Sequence, residues 1–228
     1  MFDHRPIRIS LFRLALGLTA AAAWMASVSL PATESISPGT PRITFTKVLK
    51  GSFPEYLAIT VDRRGTAVYE GRKLEDPPVP LPMQLGQTTT QKIFELAAAL
   101  NNFESGDLES YKKVANLGHK TLVYDDGKQK HQAEFNYTQR REAQDLIDIF
   151  ERISTVAQYI ATLEHSIQFD HLSLPAQLRQ IQTDLDRHAL AEPELMAPTL
   201  EKIVRNPRFL HLAQTRAQNI LERLQERR

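Results

Sequence analysis

Cysteine is absent from all 228 residues of the sequence. Disulfide bonds, thiolate metal sites and a lipid-modified cysteine are therefore excluded, and the folded chain must be held together by the burial of apolar side chains. The sequence also lacks the G-x-S-x-G element of serine hydrolases and any glycine-rich phosphate-binding loop. These absences argue against a serine triad and against a nucleotide site.

The sequence has no excess of either charge. It contains 28 Lys and Arg against 27 Asp and Glu, a net charge of +1. The first 32 residues hold three arginines and one aspartate, +2 in all, so the remainder carries about −1. A nearly neutral chain has no general attraction for polyanions, and no nucleic-acid partner is predicted.

An export signal is predicted at the N-terminus. Three arginines within the first thirteen residues precede an almost uninterrupted apolar run, Leu14–Leu30, and Pro31 follows it. A basic start, an apolar core and a break are typical of a secretory signal, which predicts a signal peptide at 1–32 and a periplasmic or extracellular mature protein. The alternative is a retained anchor, because these seventeen residues are close to the shortest run that spans a bilayer. A membrane contact is expected only through this segment, if it is not cleaved.

Beyond a loose linker at 33–42, apolar and polar residues alternate in several runs, as they do in half-buried strands. Runs rich in β-branched and aromatic residues predict five strands. These are Ile43–Leu49, Tyr56–Asp62, Thr66–Glu70, Lys120–Tyr124 and His131–Phe135. The turn sequences Asp62–Gly65 and Asp125–Lys128 join four of them into two hairpins. Proline cannot donate to a central strand, so Asp76–Pro82 is expected to be an edge or an exposed loop before a short strand near Met83–Gly86.

Helical spacing of apolar residues appears twice before the C-terminal region. A first pattern, Ile93–Leu100, predicts a helix that one of Thr88–Thr90 caps. A second pattern begins at Thr138 and predicts an amphipathic helix of about thirty residues, longer than a small sheet can cover. Its distal half is therefore expected to pack on further helices. These are predicted to open at Pro175, Pro193 and Pro207.

Together the elements predict an α+β fold, in which an antiparallel sheet of two β-hairpins packs against helices and an all-α C-terminal extension follows. The α+β domain is placed at 43–153. The helical region, which continues the long helix, is placed at 154–228.

Two short elements of this domain resemble a known family. Phe53-Pro54-Glu55-Tyr56 and Tyr69-Glu70-Gly71 look like the Cys-Pro-x-Tyr and Tyr-x-Gly elements of a family of exported bacterial domains of unknown function. The resemblance covers roughly 43–153 and implies a fold rather than an activity. Phe53 stands where that family often has cysteine, so a disulfide or thiol role is not expected in this chain.

The titratable residues form no strong catalytic or metal-binding pattern. The spacing of His165 and His171 places their rings about 240° apart around a helix, a poor geometry for one metal ion. His119 and His131 flank the second hairpin and could face each other, but no third ligand is evident. The pair Asp125–Asp126 is explained by turn chemistry. The sequence therefore predicts no catalytic residue, no metal and no cofactor.

Two sets of residues are candidate binding sites. Tyr56 and Tyr69 lie on predicted strands and could serve as ligand platforms, although cross-strand packing also accounts for them. The apolar residues along one face of the long helix form a stripe that includes Leu146, Phe150 and Ile160. These three are candidate partner-binding residues if the stripe is wider than the surface that the rest of the chain covers.

The main functional hypothesis is a non-catalytic exported protein that acts in protein interaction or envelope structure, with a protein partner or with itself. One alternative is an extracytoplasmic hydrolase that brings His119, His131 or His165 together with carboxylates. The other is a small-ligand-binding domain that uses Tyr56 and Tyr69.

Overall fold

The computed structural model describes residues 39–226, which form a six-stranded antiparallel sheet and a set of helices, of which the C-terminal ones belong to a second apolar core. The strands are β1 Arg42–Val48, β2 Tyr56–Asp62, β3 Thr66–Arg72, β4 Leu81–Gln84, β5 His119–Asp125 and β6 Lys130–Phe135. They are ordered β4-β3-β2-β1-β5-β6 across the sheet, so β1 joins the two predicted hairpins. The predicted α+β class is confirmed. The predicted signal peptide and most of the linker lie outside the described residues.

The β2–β3 turn forms because a buried carboxylate holds it. Asp62 has no exposed surface, and its Oδ1 accepts hydrogen bonds from the backbone N–H groups of Arg64 and Thr66 at 2.9 and 3.0 Å. Gly65 has a φ of +84°, and a Cβ there would lie 2.6 Å from the carbonyl oxygen of Leu85. Glycine is therefore required at this turn for both conformation and space.

The second hairpin and the proline-rich segment also follow the prediction. Asp126 Oδ1 accepts from the backbone N–H groups of Lys128 and Gln129, both at 2.8 Å, so the paired aspartates form a turn. The six residues 75–80 are exposed. They lead into β4, which begins at Leu81, two residues before the predicted short strand. Because β4 is short and contains Pro82, it makes a poor template for pairing with another chain at that sheet edge.

The predicted threonine cap of the first helix is wrong. Helix α1 spans Gln87–Ala99 and begins before the threonines, so Thr89 and Thr90 lie inside its first turn. The cap comes instead from Glu192, a residue 106 positions after Gly86 in the sequence. Glu192 accepts a hydrogen bond from Gly86 N–H at 2.9 Å and another from the Thr89 hydroxyl.

An unusual backbone run follows α1. Asn101, Asn102 and Phe103 have φ values of 52°, 49° and 66°, a left-handed turn of three non-glycine residues. Each such residue costs about 1–2 kcal/mol relative to the right-handed form. The turn places Phe103, which is 1% exposed, in the core of the sheet domain.

Helix α2 spans Arg141–Phe169 and belongs to two apolar cores. Its first half packs on α1 and the sheet, where the Phe150 ring stacks on Phe45 with centroids 5.3 Å apart. Leu146 and Phe150 have no exposed surface. The prediction that they bind a partner is therefore corrected, because the sheet and α1 already cover this part of the stripe.

The distal half of α2 is covered by the C-terminal helices, as expected. These are α3 Leu174–Asp186, α4 Ala197–Arg205 and α5 His211–Glu226, with a 3₁₀ turn at Pro193–Met196 before α4. Ile160 is half-buried against this second core, which removes most of its surface from a partner. Pro207 does not open a helix, because it lies in a turn four residues before α5 begins. None of the helices between residues 39 and 226 has the combination of length and apolarity that a membrane span requires.

Candidate functional site

The two candidate tyrosines lie on opposite faces of the sheet. Tyr69 pairs with Ile59, which is fully buried, and its side chain is itself 5% exposed on the helix-covered face. Tyr56 pairs with Arg72, whose guanidinium carbon lies 4.5 Å from the centre of the Tyr56 ring. Paired residues lie on the same face of a sheet, whereas residues three apart on one strand, such as Tyr69 and Arg72, lie on opposite faces. Tyr56 therefore lies on the face opposite Tyr69, and the two rings cannot form one ligand platform. That prediction is corrected.

Tyr69 instead contributes to a cleft of about 380 Å³ between β3, α2 and the loop that joins β1 to β2. We call it the Tyr69 cleft. Its lining residues are Phe53, Pro54, Tyr69, Gly71, Gln158, Ala161, Thr162 and His165. Phe53-Pro54 and Tyr69-x-Gly71, which belong to the two elements that carry the resemblance, therefore line the same cleft.

The Tyr69 side chain is fixed by groups on α2. Its hydroxyl bonds to the side chains of Ser154 and Gln158, and Gln158 Nε2 also donates to Ser154 Oγ at 2.9 Å. Burial raises the pKa of Tyr69, with these two hydrogen bonds opposing the rise. The hydroxyl is therefore neutral at physiological pH and holds β3 to α2.

Gly71 gives this ring the space it needs. A Cβ at Gly71 would lie 2.0 Å from the Tyr69 hydroxyl oxygen and 2.6 Å from its Cζ. Gly71 is not in the left-handed region, so the requirement for glycine here is steric. The Tyr69-x-Gly71 spacing thus has a direct physical cause, since the tyrosine ring lies along its own strand over the position two residues later.

The opposite wall is a loop whose backbone is braced. Glu55 accepts hydrogen bonds from the backbone N–H groups of Gly51 at 3.0 Å and Leu74 at 3.2 Å. These bonds, led by the one from Gly51, lower the pKa of Glu55. The Ser52 hydroxyl lies 2.7 Å from the carbonyl oxygen of Leu49. The loop is therefore held in place while its aromatic residue, Phe53, points outward.

The apolar surface continues beyond the cleft. Phe53 is 77% exposed and Phe169, the last residue of α2, is 73% exposed. The Phe169 ring contacts the ring of His165 with centroids 5.1 Å apart, which connects it to the cleft wall. Sequence reasoning missed both phenylalanines as surface residues. A signal did exist for one of them, because Phe169 lies four residues after His165 on the polar face of an amphipathic helix, where an aromatic residue has no core to fill.

The four histidines that the sequence analysis considered form no common cluster. His131 pairs with Tyr124 near the turn of the second hairpin, whereas His119 begins β5 at the other end and lies 3.3 Å from Glu134. His165 contacts Phe169, and the His171 ring contacts Phe209. Among residues 39–226 no three His, Asp or Glu side chains are grouped to hold a metal ion.

Two other features have structural explanations. A larger polar groove of about 720 Å³ lies beside the β2–β3 turn, but Arg63 there covers the Phe94 ring at 4.6 Å and Arg64 binds Asp62. Lys120, which is 7% exposed, donates to three backbone carbonyls within 3.2 Å. Burial lowers the pKa of Lys120. All three of its donors are engaged, so it ties the preceding loop to Asn136, the residue after β6.

Comparison with protein-family models and with curated proteins gives no match to this chain.

Proposed function

We propose that this protein is an exported, non-catalytic interaction module that binds an apolar side chain of a protein partner in the Tyr69 cleft. The observation that carries the proposal is Phe53, a phenylalanine that is 77% exposed on a braced loop. An aromatic residue held outward in this way loses little conformational entropy on binding. Export is proposed from the N-terminal sequence.

The chemistry of the lining favours binding over hydrolysis. The polar groups of the cleft already bond to one another, since Tyr69, Ser154 and Gln158 form one network and the Thr162 hydroxyl donates to the Gln158 carbonyl at 2.8 Å. His165 has no carboxylate beside it among the residues that line the cleft. A histidine base is normally oriented by such a group, so the hydrolase alternative has no support from this site.

The openness of the cleft favours a protein partner over a small ligand. A volume of about 380 Å³ lies within the range of small-molecule sites, but such sites bury most of their ligand's surface. Here one wall is an aromatic ring that is itself largely exposed. A protein surface that presents one apolar side chain would cover Phe53 as well as fill the cleft.

The test uses N-acetyl-phenylalaninamide as a mimic of that side chain, with binding followed by saturation-transfer NMR. Ala161 lines the cleft and Ala176 lies on α3, and both are exposed helical residues, so each accepts a larger side chain without disturbing the core. We expect Ala161→Trp to abolish binding and Ala176→Trp to leave it unchanged. Equal binding by both variants would overturn the proposal.

A further inference from the structure

One exposed ridge of α2 carries a small residue at one end and a large one at the other. Ala161, His165 and Phe169 are all exposed, and they follow one another at intervals of four residues. Residues at this spacing lie on the same helix face. Ala161 lines the Tyr69 cleft, whereas Phe169 projects from the end of the helix about 12 Å away at 1.5 Å per residue.

This arrangement is complementary to itself. If two copies of α2 cross in antiparallel directions about a two-fold axis near His165, the residue four positions after His165 meets the residue four positions before it. Phe169 of one copy then lies over Ala161 and the cleft of the other, and the reverse contact forms at the same time. A two-fold interface requires this reciprocity, and i±4 ridges are the ones that interdigitate in the commonest class of helix packing.

The charges and areas are compatible with such contact. Phe53 and Phe169 are each about three-quarters exposed. The four rings of two copies therefore offer roughly 600 Å² of apolar surface, on the basis of 150–250 Å² for a whole aromatic side chain. A standard interface buries about 1,600 Å² in total, and the cleft walls and the neighbouring Leu172, which is 79% exposed, add to the rings. No Lys, Arg, Asp or Glu lines the cleft, so an apolar ring can enter it without displacing one of these charged side chains.

We infer that the protein partner is a second copy of this chain, and that Phe169 of each copy occupies the Tyr69 cleft of the other. This inference rests on the proposed function, because it names the side chain that the cleft receives.

Sedimentation equilibrium of the purified protein tests the inference. We expect a reversible dimer whose dissociation constant rises at least about tenfold in Phe169→Ala, as for the loss of an aromatic anchor. The matched control is Tyr111→Ala, which removes an aromatic residue that is 90% exposed in the β5-preceding loop, and it should leave dimerisation unchanged. A monomeric mass at every concentration, or a dimer equally stable in Phe169→Ala, would refute the inference.

Cross-linking gives an independent check because the chain has no cysteine of its own. His165→Cys places one thiol beside the two-fold axis, so a short bismaleimide should link two copies. Ala176→Cys on α3 should remain unlinked, and equal linking of the two variants would count against the inferred axis.

The two proposals fail in different ways. Phe169→Ala leaves every residue that lines the cleft in place, so it should bind N-acetyl-phenylalaninamide at least as well as the unmodified protein. If the unmodified protein binds this probe but is monomeric, only the second-copy inference is wrong. If neither protein binds the probe, the cleft itself is not a binding site.

Discussion

The close contact between Gly71 and Tyr69 gives a test of how these two residues shape the Tyr69 cleft. A methyl group at Gly71 would lie 2.0 Å from the Tyr69 hydroxyl oxygen, so Gly71→Ala must displace the ring and break its bonds to Ser154 and Gln158. Overpacking of this kind costs about 1–3 kcal/mol. We expect that loss in the free energy of unfolding, measured by urea denaturation. Since the φ of Gly71 lies outside the left-handed region, backbone strain should contribute nothing.

Two second-site backgrounds separate the clash from other causes. Tyr69→Phe removes the hydroxyl but keeps Cζ, which would still lie 2.6 Å from the new methyl group, so Gly71→Ala should remain costly there. Tyr69→Leu removes the outer ring atoms, and in that background Gly71→Ala should be neutral or should stabilise by up to about 1 kcal/mol through the unfolded chain. A cost of Gly71→Ala that is the same in all three backgrounds would refute the steric argument.

Three further predictions concern the elements that support the site. At Asn102, which has a φ of +49°, alanine should lower the free energy of unfolding by about 1 kcal/mol while glycine should not, and equal effects in thermal denaturation would contradict the left-handed turn. Glu192→Ala should cost about 1 kcal/mol, as for a lost helix cap, and amide hydrogen exchange should show faster exchange in the first turn of α1; an unchanged rate at Gly86 would argue against this cap. The pKa of Glu55 is lowered, so the stability it gives to the Phe53 loop is fully present above its ordinary value of 4.5 and lost as pH falls through the lower folded value. Glu55→Gln should remove this acid transition from the NMR signals of Gly51, and an identical transition in the variant would show that another group causes it.

Local sequence patterns were sufficient to predict most of the elements. Residues 56–62 alternate between apolar and other side chains along much of their length. They form β2 with the predicted bounds because one face of the strand meets the core. The long apolar stripe likewise predicted α2 to within a few residues. The proline signal at Pro207 failed because a proline that suits a first helical turn also suits the β-turn that is found there.

The site itself was not predictable from local patterns. The Tyr69 cleft joins residues from the β1–β2 loop, β3 and the middle of α2, and their contact depends on how far α2 extends past the sheet. The cap from Glu192 to Gly86 spans more than a hundred residues and has no local signal. The wide stripe of α2 suggested an open partner surface, but the sequence alone does not state how much of that stripe α3, α4 and α5 cover. The exposed apolar surface lies at Phe53 and Phe169 instead.

The most direct test of the central claim is to map the binding of N-acetyl-phenylalaninamide on the purified, isotope-labelled Phe169→Ala protein, whose cleft the Phe169 ring of a second copy cannot fill, by the changes in its amide NMR signals. We predict saturable shifts that cluster at Gly71, Gln158, Thr162 and His165, around the Tyr69 cleft. Shifts that cluster instead at the polar groove beside Arg63 and Gln91, or no saturable shifts at all, would contradict the account.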